Sequence, residues 1–93
     1  MNKRELISAI STELAITDIE AQRFVDSFQT VVTNELSGGG DISLVGFGRF
    51  HTKKHRARIG RNPATGEPIK ISAKVFPAFT PGKTLKETVR ARA

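Results

Sequence analysis

Gly60-Arg61-Asn62-Pro63-Ala64-Thr65-Gly66 is a turn sequence set in the middle of the most basic stretch of this 93-residue chain. From Arg49 to Lys74 the basic residues are Arg49, Lys53, Lys54, Arg56, Arg58, Arg61, Lys70 and Lys74, against the single acid Glu67. Ala57, Ile59, Ile69 and Ile71 are the main apolar side chains near the turn, too few for the segment to fold on itself. The pattern predicts two extended strands that run out to a tip and back. Such a projecting arm, almost all of one charge, has a polyanion as its natural partner.

Composition agrees. The length suits one small domain. Fifteen Lys and Arg against nine Asp and Glu give a formal charge of +6 and a pI near 10.3, above the roughly 9 that marks nucleic-acid-binding domains. The charge is unevenly divided: residues 1–45 carry three basic groups against seven acidic ones, and the remainder carries twelve against two. That asymmetry assigns scaffold to the first half and binding to the second. With no cysteine, disulfides and thiolate metal sites are excluded, which suits a reducing compartment. Met1-Asn2-Lys3-Arg4-Glu5 does not open a secretory signal, and no apolar run has the length of a membrane span. The expectation is a soluble, cytoplasmic protein.

Asn2-x-x-Glu5 has the form of a capping box, followed by Leu6, Ile7, Ile10 and Leu14 on one helical face. Thr17-x-x-Glu20 opens a longer helix with Ala21, Phe24, Val25, Phe28, Val31, Val32 and Leu36 in the same period, stopped by Gly38-Gly39-Gly40. Asp41 to Val45 alternates as a strand, Gly46-Phe47-Gly48 marks a tight bend, and Arg49 to His51 begins the strand leading into the arm. One returning strand is expected from about Pro68 to Phe79. After Pro81-Gly82 a third helix is expected near Thr84, capped by Thr84-x-x-Glu87, with Leu85 and Val89 facing inward. Phe24, Phe28, Phe47, Phe50 and Phe79 sit at periodic or bend positions outside the charged arm, so they read as core and not as base-stacking groups. This is more apolar surface than one small body can hide, and a second subunit is the simplest cover.

Three stretches together, Gly46-Phe47-Gly48-x-Phe50, Arg58-x-Gly60-Arg61-Asn62-Pro63-x-Thr65-Gly66-Glu67 and Pro77-x-Phe79-x-x-Gly82-Lys83-x-Leu85-Lys86, resemble the bacterial HU/IHF family of histone-like DNA-bending proteins. The likeness runs over nearly the whole chain. It implies an α+β fold: an intertwined dimer with a helical base, a small antiparallel sheet and one protruding β-ribbon arm per subunit. Residues 1–93 would form one domain, with 1–45 the mainly helical dimerising part, 46–82 the sheet and arm (arm about 53–75), and 83–93 the last helix. The partner subunit would be an identical chain or a paralogue. It also implies arms that lie in the minor groove of double-stranded DNA. The family is itself a standard example of architectural binders that wedge apolar side chains between base steps.

At the tip, proline offers a rigid apolar ring and no N–H, so Pro63 can face outward without stranding a donor. Alone it reads as an ordinary turn proline; the resemblance makes it a wedge. Arg61 and Asn62 suit the degenerate acceptor pattern of the minor groove. Arg58, Arg56, Lys53, Lys54, Lys70 and Lys74 suit phosphates, giving affinity without sequence information. Lys83, Lys86 and Lys3 either extend the basic track over the body or serve solubility. Many family members place an arginine early in the outgoing arm strand, where this chain has His55 followed by Arg56. The direction in which that cation points is open, because neighbours on a strand face opposite ways.

Catalytic patterns fail. Gly82-Lys83-Thr84 resembles the end of a phosphate-binding loop, but the required glycine at position 77 is Pro77. His51 and His55 have a metal-ligand spacing only on a helix, and they lie in a cationic strand. The expectation is therefore a non-enzymatic, nucleoid-associated protein, without cofactor, metal, membrane or small-molecule substrate, that binds and bends duplex DNA with little sequence preference. A site-specific IHF-type bender and a basic RNA-binding module are the alternatives.

Overall fold

The computed structural model describes residues 1–92. Three helices and five strands follow in the order α1 (Lys3–Leu14), α2 (Asp18–Ser37), β1 (Ile42–Leu44), β2 (Gly48–His55), β3 (Arg58–Arg61), β4 (Pro68–Ile71), β5 (Lys74–Pro81) and α3 (Lys83–Arg90). The fold class is α+β, as expected. Packing divides the chain into two compact units, Met1–Glu35 and the remainder from Leu36 onward.

In the first unit the local signals act as their chemistry requires. Asn2 Oδ1 accepts the Glu5 backbone N–H at 2.9 Å, satisfying one of the orphan donors at the start of α1. Thr17 Oγ1 accepts from Glu20 N at 3.2 Å and does the same for α2. Between the helices Ala15 takes a left-handed conformation, and its N–H reaches the Ser11 and Thr12 carbonyls. Ser11, 7% exposed, places its hydroxyl 2.7 Å from Asp18 Oδ1 and 2.8 Å from the Ser8 carbonyl, tying α1 to the start of α2. Lys3 Nζ and Asp26 Oδ1 form an ion pair at 2.7 Å across the same two helices.

The expected core is only partly there. Among the described residues the buried apolar side chains are Ala21 and Val25. Phe24 is 55% exposed, and Phe28, Val31, Leu6 and Leu14 are also exposed, while Ile7, Ile10 and Val32 are half-buried. The apolar stripes of both helices exist, but one chain leaves their large members in water.

In the second unit β1, β2 and β5 form an antiparallel sheet in that order, and β3 pairs with β4 in a separate two-stranded ladder. Ile42, Leu44, Phe50 and Phe79 share one sheet face by register; Phe79 packs against Phe50 at 4.8 Å and against Phe47 of the bend at 5.6 Å between ring centroids. Even so Phe47 and Phe79 are exposed, and Phe50 is half-buried. The strand expected over 41–45 is one residue shorter at each end.

Helix α3 departs from expectation. It starts at Lys83, its N-cap is Gly82, and no side chain caps it, so the Thr84-x-x-Glu87 box is not used. Backbone groups replace it: Leu85 N donates to the Gly46 carbonyl at 3.1 Å and Gly82 N to the Phe47 carbonyl at 2.8 Å. The bend itself caps the helix. Val89 does not face inward; it is 63% exposed, while Leu85 is half-buried.

Candidate nucleic-acid interface

The arm is a two-part ribbon. Its base, β2 with β5, pairs from Gly48 opposite Pro81 to His55 opposite Lys74, and its tip, β3 with β4, pairs from Arg58 opposite Ile71 to Arg61 opposite Pro68. The single returning strand expected from Pro68 to Phe79 is therefore broken at Ser72-Ala73, and the outgoing strand at Arg56-Ala57. Two residues are skipped on each side, so the ladder restarts in the same register. Ala57, Ser72 and Ala73 give the break a physical reason, because small and polar side chains gain little from a pleated surface.

The turn at the tip is held by its own polar groups. Asn62 N donates to the Glu67 carbonyl at 2.8 Å and Gly66 N to the Asn62 carbonyl at 2.7 Å. Asn62 Oδ1 accepts from Ala64 N at 2.9 Å, and Thr65 Oγ1 from Glu67 N at 3.3 Å. With its carbonyl and its side-chain oxygen both occupied, Asn62 keeps its amide N–H₂ group for an outside acceptor. Pro63 is exposed at the first position after it.

Lys53, Lys54, Arg56, Arg58, Arg61, Lys70 and Lys74 are all exposed, and among the described residues none has an ion-pair partner. The same is true of Lys83 and Lys86. No acid lies in the first turn of α3, so these two lysines sit where the helix dipole disfavours cations. Their placement does not serve the helix. Lys3 differs, because its charge is already answered by Asp26. Arg49, likewise, lies 3.5 Å from Asp41.

The histidines fall on one face of β2, and four residues of extended chain separate their Cα atoms by about 13 Å, too far to share a metal ion. His51 Nε2 lies 2.7 Å from Thr80 Oγ1. His55 stacks on Phe76 with centroids 4.8 Å apart and ring planes 20° apart. His55 thus stacks at the end of the base, and Arg56 stands exposed in the break that follows it. Neither the break nor the stacking was legible from composition, although the paired small residues at 57 and 72–73 were a usable signal. Among the described residues no three His, Cys, Asp or Glu side chains converge as metal ligands, and no helix is long and apolar enough to cross a membrane.

The family model described as bacterial DNA-binding protein matches residues 1–90. The chain belongs to this family. Among relatives in the bacterial DNA-binding protein family, it is 51% identical over 89 residues to DNA-binding protein HU-beta 2 of Neisseria meningitidis, covering 96% of this chain and 98% of that one. It is 44% identical over 92 residues to DNA-binding protein HU 1 of Bacillus subtilis, covering 99% and 100%. Among solved structures it is similar to the Anabaena HU–DNA cocrystal, with a TM-score of 0.86, 37% identity and coverage of 96% and 97%. HU from Thermotoga maritima matches with a TM-score of 0.67 and 27% identity over 96% and 98% of the two chains.

Proposed function

We propose that this protein is an architectural DNA-binding protein of the nucleoid that binds double-stranded DNA with low sequence specificity and bends it, organising the chromosome in the cytoplasm. The observation that carries the reading is the ribbon of seven exposed cations without ion-pair partners, turning at an exposed proline. A solvated surface mixes both signs of charge; this one is kept single-signed over both strands. The likeness to a chain crystallised with DNA supports the same conclusion.

The roles proposed for the residues rest on their exposure along the ribbon together with the family resemblance. Arg61 and the Asn62 amide, at the tip, meet minor-groove acceptors, and Pro63 enters a base step. Lys53, Lys54, Arg56, Arg58, Lys70 and Lys74 line the way to the tip and neutralise phosphates. Lys83 and Lys86 extend the track on the body, and Lys3 contributes least because its ion pair must first open. The functional unit is one domain paired with a second subunit, identical or paralogous, because residues such as Phe24, Val31 and Val89 need cover that a single chain does not provide.

The test is competition. Labelled random-sequence duplex DNA should be displaced by unlabelled duplex DNA of any sequence and poorly by duplex RNA of equal length, whose wide, shallow minor groove offers the arms a different shape. Equal displacement by RNA would favour the RNA-binding reading. Displacement by one DNA sequence alone would favour a site-specific bender.

A further inference from the structure

The break in the ribbon opens a cleft of about 270 Å³ lined by His55, Arg56, Arg58, Ile71, Ser72 and Lys74. Every ionisable lining group is basic, the Ser72 hydroxyl adds a donor, and no carboxylate faces the cleft. The one acid between Arg49 and Lys74 is Glu67, in the tip turn. Of these lining groups histidine alone belongs to a type whose charge changes between about pH 5 and 8.

The two histidines of the strand differ. His51 has Nε2 engaged with Thr80 Oγ1 and lies at the sheet end of the arm. His55 is exposed, and among the described residues neither of its ring nitrogens has a hydrogen-bond partner. Phe76 holds the imidazole plane in place without occupying a nitrogen. The ring is therefore oriented beforehand. The groups facing it are Lys53 and His51 on its own strand, Lys74 and Phe76 on β5, and Arg56 and Arg58 beyond it. All the charged ones are cations. A phosphodiester entering the cleft reverses that field.

Resting on the DNA-binding reading above, we propose that this cleft is a phosphate seat in which His55 takes up a proton as DNA binds, so that affinity for duplex DNA rises as pH falls through the histidine range. Bound phosphate favours imidazolium, so the histidine holds its proton more tightly in the complex than in the free arm. The extra affinity is present at low pH and lost as pH rises.

Fluorescence anisotropy with a random 20-base-pair duplex, at pH 6 and pH 8 and constant ionic strength, tests this on the intact protein. One additional phosphate contact per arm steepens the slope of log K against log salt by about 0.9 per arm, and at moderate salt it tightens binding roughly tenfold at pH 6. His55→Arg should bind at both pH values with the tight affinity. His55→Gln should bind at both with the weak one. His51→Gln should keep the wild-type dependence, and calorimetry in two buffers should register proton uptake for wild type and none for His55→Arg. Wild-type binding equal at pH 6 and 8, or a dependence that survives both His55 substitutions, would overturn the proton control while leaving DNA binding intact. Failure of wild type and His55→Arg to bind duplex at any pH would overturn the DNA-binding reading itself.

Discussion

Replacing Gly82 with alanine tests whether the Gly46-Phe47 bend and α3 form one unit. A Cβ at Gly82 would lie 2.8 Å from both the carbonyl carbon and the carbonyl oxygen of Gly46 and 3.0 Å from the Phe47 carbonyl carbon. These are backbone atoms, which have no rotamer to change, so α3 must move away from the bend. Overpacking of this kind costs about 1–3 kcal/mol. The displacement also stretches Gly82 N to Phe47 O and Leu85 N to Gly46 O, the bonds that stand in for a side-chain cap. Each is worth about 1 kcal/mol, and the two losses overlap with the steric one, so the expected total is about 3 kcal/mol. At roughly 4–8 °C per kcal/mol for a domain of this size, the melting point should fall by at least about 10 °C. Urea and thermal unfolding followed by far-ultraviolet circular dichroism, at one fixed protein concentration, measure the free energy and the melting point respectively. Gly39→Ala is the control, since nothing lies within 4 Å of its Cβ and only its φ of +83° is strained; about 1–2 kcal/mol is expected there. If Gly82→Ala costs no more than Gly39→Ala, the close approach does not hold α3 and the reasoning fails.

Pro63→Ala keeps the arm's charge and removes the ring, so it should reduce the bend seen by end-to-end energy transfer more than it weakens binding, with the smallest effect on nicked DNA, where unstacking is already partly done. An unchanged bend would make Pro63 a plain turn residue. Arg61→Ala should weaken binding to straight and nicked duplex alike and lower the salt slope by about one unit per arm. The melting midpoint of the wild type should rise by roughly 3–6 °C per tenfold increase in protein concentration, as a dimer requires, and Phe24→Asp should abolish that rise; concentration-independent melting of the wild type would rule the dimer out.

What could be read in advance was what is written within a few residues. The Asn2 and Thr17 caps, the glycine stop after α2 and the turn around Asn62 are local hydrogen-bond chemistry, and their residues announce them. The arm's charge was equally plain, because it is composition. Three things were hidden. The cap of α3 is built from the Gly46 and Phe47 carbonyls, about 35 residues away in sequence, while Thr84 and Glu87 offered a local alternative that tertiary contact displaced. The ribbon's break depends on what stands opposite Arg56 and Ala57, which only the register reveals. The positions of Phe24, Phe47 and Val89 follow an inward pattern, but inward for them is not the interior of one chain. Periodicity reports which face is apolar and is silent on what covers it.

The in-register break has a mechanical consequence. Had one strand gained a residue, the bulge would have twisted the ribbon and carried the tip sideways. Skipping two residues on each strand does neither. The contour length from the sheet to Pro63 is fixed by the covalent chain and by pairing on both sides, whereas direction is fixed only where the rungs resume. Reach and bearing are thus separate variables in this arm. Under the proposed function, a proline delivered to a constant depth with an adjustable approach angle would let one tip geometry serve duplexes bent by different amounts.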